Sequence, residues 1–200
     1  MLAGQPVPPT VMGEQGASPG LRQLIDALDL EPAYVMGRYW DLHAWNTIAD
    51  CVFDFSAAPS PRARNIVWRL FTDPARRSFY SDWEGIARKV LAEFRADSAR
   101  YPGDPAFAAL IDDLQRASPE FRVWWPRHDV RDPLDGRKEI EHPRVGRLTL
   151  EHTTLQVATA PDLKVMIYTP LEEADTRVKL QRLRHMGAGG GATAVTTALC

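Results

Sequence analysis

The chain has 200 residues, of which 44% are hydrophobic and 25% are charged, and its formal net charge is -2. These values predict one globular domain with tails, and the near-neutral charge gives no general attraction to nucleic acid or to an anionic membrane. No apolar run approaches the roughly 20 residues needed to span a bilayer. No signal peptide is recognisable, and the two cysteines do not suggest a disulfide framework, so a reducing cytoplasm is the predicted localisation.

Both ends of the chain have the composition of flexible segments. Residues 1–20 are rich in proline, glycine and small polar residues and predict a disordered N-terminal arm. Residues 173–200 predict a basic helix followed by a flexible, low-complexity tail. The folded domain is therefore expected over residues 21–172, and its first element is a short helix over 21–30.

The segment that follows is typical of a β-hairpin. Residues 33–46 are rich in aromatic and β-favouring side chains, with tight turns expected at Gly37 and Asp41. Asn46 can then cap a helix that begins directly after the hairpin.

Helical patterns dominate the middle of the chain. A helix over 60–71 is predicted to open with a Ser-Pro pair, and a helix over 81–95 with a capping box of Ser81 and Glu84. Another helix is predicted to start at Asp104, which a proline follows.

The most distinctive segment spans 118–130 and predicts a helix with Ser118 as its N-cap and a proline at its first position. Four side chains recur at i, i+3, i+4 and i+7 on one face of this helix: Phe121, Trp124, Trp125 and His128. Such a stripe is either a heavy core or one wall of a pocket for an apolar molecule with a polar end. Pro126 is expected to kink the helix just before His128.

The pattern changes to period two after Gly136. Residues 137–142, 146–157 and 163–169 predict three strands separated by turn residues. No strand–helix–strand alternation is present, so an antiparallel sheet with helices packed on one face is favoured.

Five segments, in chain order, resemble the ligand-binding domain of the MmyB-like transcription regulators, which are bacterial helix-turn-helix (XRE-type) regulators linked to antibiotic metabolism. The matching segments are PAYVMGRYWDLHAWN at 32–46, NIVWRLFTDP at 65–74, DWEGIARKVLAEFR at 82–95, SPEFRVWWPRHDV at 118–130 and HPRVGRLTL at 142–150. The resemblance implies an α+β, PAS-like fold, a five-stranded antiparallel sheet with helices inserted after the second strand. It also implies a fatty-acid-like ligand between the sheet and the helices.

Pattern and resemblance together select eleven candidate ligand-binding residues. They are Met36, Trp45, Phe71, Trp83, Val90, Phe94, Arg95, Phe121, Trp125, His128 and Leu150. His128 or Arg95 could hold a carboxylate at the pocket mouth, Arg95 through a bidentate pair. The alternatives are a helix-end or core role for His128 and a solvated surface charge for Arg95.

The predicted function is a non-enzymatic sensor domain of a transcription regulator that binds an apolar small molecule. No cofactor and no metal site are expected, because the sequence holds no G-x-S-x-G elbow, P-loop, Rossmann glycine pattern or metal-ligand spacing. Family members carry a helix-turn-helix domain ahead of the ligand domain. The residues ahead of the ligand domain are expected to be disordered, so this chain is expected to reach DNA only through such a domain and not by its own residues.

Two other functions remain open from the residues. One is a dimerisation or protein-interaction module with a dry core, which would make the chain a homodimer. The other is a lipid-directed hydrolase or isomerase with His128 as its base, against which the absence of a nucleophile constellation argues.

Overall fold

The computed structural model describes residues 16–127 and 136–189. These ranges form one five-stranded antiparallel sheet and eight α-helices. The strands are β1 (Ala33–Met36), β2 (Leu42–Trp45), β3 (Arg137–His142), β4 (Gly146–Gln156) and β5 (Lys164–Pro170). The helices are α1 (Pro19–Asp26), α2 (Thr47–Phe53), α3 (Ile66–Thr72), α4 (Ala75–Phe79), α5 (Trp83–Ala99), α6 (Pro105–Ala117), α7 (Pro119–Trp124) and α8 (Thr176–Gly189). Most of the predicted N-terminal arm and the end of the predicted C-terminal tail lie outside the described residues.

The sheet confirms all five predicted strands. Its strand order is β2-β1-β5-β4-β3, and every neighbouring pair is antiparallel. The first two strands form the predicted hairpin, and in chain order α2 to α7 lie between β2 and β3. The middle strand, β5, therefore pairs with β1 from the opposite end of the domain.

Helices cover both faces of the sheet, so the prediction that they pack on one face is wrong. Tyr34 and Met36 on β1 join the main core with α2 to α8, whereas Val35 points the other way. On that second face Val35 packs with Ile25 of α1 and Val165 of β5. The reason is that β1 is apolar along its whole length, as is usual for a strand buried on both faces.

Three helices begin at residues other than those predicted. The α1 helix begins at Pro19, within the range predicted as a disordered arm, because Ser18 caps it and proline is accepted at its first position, and it ends at Asp26 rather than at 30. The Ser-Pro pair at 60–61 opens only a 3-10 turn, and α3 is capped instead by Asn65, whose Oδ1 accepts from the Trp68 N–H at 3.0 Å. The N-cap of α5 is Asp82, which accepts from the Gly85 N–H at 2.9 Å. Ser81 lies one residue ahead of this cap, and its own N–H donates to the Glu139 carbonyl of β3 at 3.3 Å.

The α7 helix confirms its predicted start but not its predicted length. Ser118 caps it and accepts from the Phe121 N–H at 3.2 Å. The helix ends at Trp124, two residues before Pro126, which has no N–H to donate to the Arg122 carbonyl. Proline thus ends this helix rather than kinking it, and the segment with His128 lies outside the described residues.

The α8 helix packs into the main core. Leu180 and Leu183 are fully buried and α8 contacts α2. Two of its cations pair with the segment between α1 and β1, Arg184 with Asp29 and Arg177 with Glu31 at 3.7 Å. None of the helices in the described ranges has the length and apolar run that crossing a lipid bilayer would demand.

A candidate ligand cleft between the sheet and helices α3 and α5

Two adjoining cavities lie between the sheet and helices α3 and α5, with volumes of about 40 Å³ and about 70 Å³. Both are lined by Tyr34, Ile66, Ile86, Val90 and Lys138, so we treat them as one sheet–helix cleft. The smaller cavity is also lined by two arginines of α3 and α4, and we call it the arginine cavity. The larger one is also lined by two further lysines, and we call it the lysine cavity.

The cleft follows from strand alternation and helical spacing. The register pairs Tyr34 of β1 with Met166 of β5, so both side chains face the helices. On α5, Ile86 and Val90 are four residues apart and therefore share the face turned toward the sheet. Ile66 closes the cleft from the first turn of α3.

Two tyrosines and a lysine form a polar group on the sheet side of the cleft. The Tyr34 and Tyr168 hydroxyls are 3.2 Å apart, and Lys138 Nζ donates to the Tyr168 hydroxyl at 3.3 Å. Burial raises the pKa of Tyr34 well above its ordinary value, which keeps this phenol protonated. Burial acts to lower the pKa of Lys138, but the oxygens of Tyr168 and Tyr80 outweigh it, so the net change is upward. Lys138 therefore presents a charged ammonium to the cleft.

Arg69 of α3 lines the arginine cavity and is only partly satisfied. Its Nη2 donates to the carbonyls of Phe53 and Asp54, both at 3.0 Å, which ties α3 to the end of α2. Its Nη1 is buried and has no hydrogen-bond partner among the described residues. Burial, followed by repulsion from Arg76, lowers the pKa of Arg69. An arginine is nonetheless charged at neutral pH, so the cavity holds an incompletely compensated cation.

His152 of β4 lines the lysine cavity as a neutral side chain. Its Nδ1 lies 2.6 Å from the Gly136 carbonyl oxygen. Burial and then the charge of Lys138 lower its pKa to about 4. His152 is therefore uncharged at neutral pH and adds no positive charge to the cavity.

Trp40 forms part of the lysine cavity wall in an unusual conformation. Its φ is 69°, in the left-handed region that bulky residues rarely adopt. Its Nε1 donates to Asp97 of α5 at 2.9 Å, and Lys164, which pairs with the same carboxylate, lies over the indole at 5.6 Å. The Trp40 carbonyl accepts from the Ile66 N–H at 2.9 Å. The hairpin turn is thereby attached to both α3 and α5.

The candidate residues selected from sequence fall into separate places. Met36 and Val90 line the lysine cavity, and Val90 also lines the arginine cavity. Phe121 stacks on Trp125 at a ring separation of 5.2 Å and meets Phe71 edge-on at 5.2 Å. Four further candidates pack elsewhere in the core. Trp45 contacts Phe55, Phe94 contacts Trp125, and Leu150 is fully buried. The indole N–H of Trp83 donates a hydrogen bond to the Leu70 carbonyl. His128 lies outside the described residues.

Arg95 is placed at the end of α7. Its Nη2 donates to the carbonyls of Trp124 at 3.1 Å and Trp125 at 2.9 Å, and its guanidinium lies over the Trp125 ring. These carbonyls belong to the last turn of α7, which the helix itself leaves without partners. Arg95 therefore joins α5 to α7.

Sequence reasoning missed Arg69, Lys138 and the tyrosines of the cleft. A signal for Arg69 was present, because it sits inside the apolar run of α3 between Val67 and Leu70, both of which are buried. A charged residue within a buried helical face is unusual unless it is paired or functional.

Apolar walls with a few convergent polar groups are the composition of a small-molecule site, although the two cavities, at about 40 Å³ and about 70 Å³, are smaller than the roughly 300–1,000 Å³ of such sites. The family model of the MmyB-like transcription regulator ligand binding domain matches residues 17–183, and the chain belongs to this family. The match runs from the residues before α1 into α8 and includes every strand of the sheet. No curated protein sequence matches the chain. Within residues 16–127 and 136–189 no cluster of His, Cys, Asp and Glu side chains could hold a metal ion.

Proposed function

We propose that this domain senses a fatty-acid-like amphiphile, bound in the sheet–helix cleft, on behalf of a transcription regulator. The observation that carries the proposal is the pairing of apolar walls with partly buried cations. Ile66, Ile86 and Val90 provide apolar surface for a tail, and Arg69 and Lys138 provide positive charge for an anionic head. Membership of a family of regulator ligand-binding domains supports a small-molecule ligand. The strand order and the helices between β2 and β3 support the PAS-like assignment.

A long ligand requires the cleft to open. Cavities of about 40 Å³ and about 70 Å³ are each smaller than the roughly 150 Å³ that holds a benzene molecule. An acyl chain therefore binds only if α3 and α5 move away from the sheet. Because the ligand then binds the open arrangement better than the closed one, it shifts the population toward the open arrangement.

Strand β1 offers a route by which that movement reaches the N-terminal side of the domain. Tyr34 and Met36 face the cleft, and Val35 between them packs against Ile25 of α1 on the opposite face. In a regulator with a helix-turn-helix domain ahead of α1, a shift of β1 would change the position of α1 and so the DNA-binding part.

Ligand binding is tested by thermal shift and native mass spectrometry with saturated fatty acids of 8 to 16 carbons. We expect a concentration-dependent rise in melting temperature in the wild-type protein. Val90→Trp fills the cleft and should abolish the rise, whereas Val178→Trp, at a position that is 47% exposed, should retain it. Circular dichroism checks that both variants are folded. The proposal fails if no fatty acid shifts the melting temperature and none is carried through purification.

A homodimer is a second proposal, supported by exposed apolar side chains on the α1 side of the sheet. Leu24 of α1 is 59% exposed and Leu155 of β4 is 47% exposed. Leu155 pairs in register with Val165, which packs on the α1 side, so Leu155 lies on that same face. Light scattering should then show a dimer that Leu155→Glu converts to a monomer. A monomeric wild-type protein would remove this proposal.

A further inference from the structure

An open groove lies between helix α8 and the turn that joins β3 to β4. Its volume is about 620 Å³, and its described lining residues are Arg144 and Val145 of the turn and Arg182, His185 and Met186 of α8. None of these residues lines either cavity of the sheet–helix cleft. We call this surface the α8 groove, and it is separate from the proposed ligand site.

The outward face of α8 follows from the spacing of its residues. Arg182, His185 and Met186 stand at i, i+3 and i+4, so they share one face of the helix, and all three are exposed. Leu180 and Leu183 lie on the other side of the helix and are fully buried in the main core. Packing of α8 on the core therefore turns the groove-lining face toward solvent.

The arginines of α8 at the flank of this face already have partners. Arg177 and Arg184 are seven residues apart and lie on one side of the helix. They pair with Glu31 at 3.7 Å and with Asp29, so they attach α8 to the segment between α1 and β1. Their charges are therefore accounted for by the fold itself.

Arg144 and Arg182 carry positive charge that the described part of the chain does not neutralise. Within residues 16–127 and 136–189 neither guanidinium forms an ion pair with a carboxylate, and no acidic residue is among the described lining residues of the groove. The sequence of α8 contains no Asp or Glu. The groove is thus a cationic surface on a chain whose formal net charge is -2, and such a local field attracts an anionic partner.

Two apolar side chains share the groove with these cations. Met186 is 42% exposed, and Val145 is partly buried against the main core. Arginine and methionine are both enriched where proteins bind other proteins, and the flexible methionine side chain adapts to partners of different shape. Nucleic-acid phosphates are bound by charged and polar groups, so the apolar pair favours a protein partner.

The shape of the groove also favours a macromolecular partner over a small molecule. A drug-sized ligand buries roughly 70–90% of its surface in its site. One helix face and one turn, with both arginines exposed, do not enclose a ligand to that extent. A polypeptide segment needs to bury only one of its faces.

We propose that the α8 groove is a docking surface for an acidic segment of a partner protein, whose carboxylates bind Arg144 and Arg182 and whose apolar side chain covers Met186 and Val145. Each guanidinium can receive a carboxylate through two parallel N–H···O bonds. Glutamates three or four residues apart on a partner helix lie on one face and supply such a pair of carboxylates. The proposal goes beyond the proposed function and does not depend on a ligand in the sheet–helix cleft.

The test uses a fluorescein-labelled twelve-residue peptide that alternates pairs of glutamates with pairs of leucines, and a second peptide with glutamine in place of every glutamate. In fluorescence anisotropy the acidic peptide should bind about 5- to 30-fold more tightly than the glutamine peptide, the range expected for two exposed ion pairs. The double variant Arg144→Gln with Arg182→Gln should reduce that preference to less than about threefold. The double variant Arg64→Gln with Arg122→Gln makes the same change of charge at two exposed arginines elsewhere and should keep the preference.

NMR of protein labelled with ¹³C at the methionine methyl groups locates the bound peptide. The methyl resonance of Met186 should shift on titration, whereas those of Met36 and Met166, which line the lysine cavity, should not. Met186→Gln should weaken binding of the acidic peptide about fivefold, because part of a methionine side chain is no longer buried. Val123→Gln on α7, at a position that is 46% exposed, is its control and should bind like the wild-type protein.

Four outcomes would overturn the proposal. The first is a Met186 resonance that stays in place at about 1 mM peptide, or a shift at Met36 and Met166 instead. The second is a groove variant that keeps the wild-type preference. The third is tighter binding of a twelve-base-pair DNA duplex or of phosphatidylglycerol vesicles through the same two arginines, because the surface then takes phosphate. The fourth is a dimer, measured by light scattering, that the double groove variant converts to a monomer, because the groove is then an interface between copies of this chain.

Discussion

Asn46 connects three elements through a single buried side chain. Its Oδ1 accepts from the N–H groups of Ala49 at 2.9 Å and Ala33 at 3.0 Å, so it caps α2 and binds the start of β1. Its Nδ2 donates to the carbonyls of Ile25 at 3.1 Å and Glu31 at 3.0 Å, around the end of α1. Each of these backbone groups would lose its partner if the amide were removed.

Asn46→Ala should therefore lower the free energy of unfolding by about 3 kcal/mol, since several buried groups are left unsatisfied and a cap is lost. Ser18→Ala removes the cap of α1 at an exposed site and should cost only about 0.5–1 kcal/mol. Urea denaturation followed by circular dichroism measures both. Equal losses in the two variants would contradict the role of Asn46 as a connection between elements.

At the residue scale, local chemistry predicts caps well and long-range partners poorly. Asn46 and Ser118 are recognisable as N-caps because an N-cap bonds to backbone only two or three residues ahead. Arg69 and Arg95 bond to carbonyls 15 or more residues away, so nothing near them in sequence reveals their roles.

At the scale of elements, two leucines attach α8 to the main core. The amphipathic pattern of this helix is weak, so the sequence alone does not identify them as core residues. Leu180 and Leu183 are fully buried, whereas Val178 on the same helix is 47% exposed. Because the sequence after α8 is of low complexity, the sequence of α8 resembles the start of a flexible tail.

Leu183→Ala should destabilise the protein by about 3 kcal/mol, because it removes buried methyl groups and leaves a cavity between α8 and the rest of the core. Val178→Ala should change the stability by less than about 0.5 kcal/mol. Thermal and chemical unfolding of the two variants provide the comparison. A small effect of Leu183→Ala would show that α8 is not needed for the stability of the core.

Arg95 adds two hydrogen bonds to a contact between α7 and α5 that Trp83 and Phe94 also make through the aromatic rings of α7. Arg95→Met keeps the aliphatic stem over Trp125 but removes the two hydrogen bonds to the end of α7. Amide hydrogen exchange in α7 should become about 10-fold faster or more, since each lost bond to a charged donor is worth about 1.5–3 kcal/mol. Arg100→Met, at the exposed end of α5, is the control and should leave α7 protected. Unchanged exchange in both variants would rule out this role.

Element boundaries follow from sequence only where tertiary contacts do not compete. The bounds of β3 agree with the predicted range 137–142, in which the buried Ile140 and His142 alternate with the charged Glu139 and Glu141. Ser81, next to the Asp82 cap of α5, pairs its backbone N–H with β3, and α1 covers the second face of β1. Neither effect is visible in a local window.

For the whole molecule, the buried His142 and the half-buried His152 predict loss of stability in mild acid. Burial lowers the pKa of His142, and burial with the charge of Lys138 lowers the pKa of His152 to about 4. In the unfolded chain both groups have a pKa of about 6.5 and take up protons first. The stability they contribute is therefore complete above about pH 6.5 and decreases as the pH falls toward 4.

The melting temperature of the wild-type protein should accordingly fall between about pH 6.5 and pH 4. His152→Gln, which cannot take up a proton, should make that decrease shallower. Carboxylates such as Asp104 and Asp162, whose pKa values are lowered by their partners, contribute to acid unfolding from about pH 5 downward and mainly below pH 4. Parallel pH profiles of the variant and the wild-type protein would contradict the assignment to His152.

The class of fold could be predicted from sequence because the change from helical to alternating pattern after Gly136 is clear. The position of the cleft could not, because its wall is assembled from residues as distant as Tyr34, Ile86 and Lys138. Their convergence depends on β1 and β5 being neighbours at the centre of the sheet, and strand order is not encoded in the pattern of any one strand.

The backbone of Trp40 is strained when α5 packs against the sheet. A left-handed backbone at a bulky residue costs on the order of 1–3 kcal/mol and persists only while its surroundings hold it. One of the contacts that hold it is the bond from its indole to Asp97, and Asp97 moves with α5. Any displacement of α5 that breaks this bond lets the hairpin turn relax, and the relaxation in turn lowers the free energy of the displaced state. Opening of the helix and relaxation of the turn are therefore cooperative, so the domain should switch between two states rather than swell gradually as longer ligands enter.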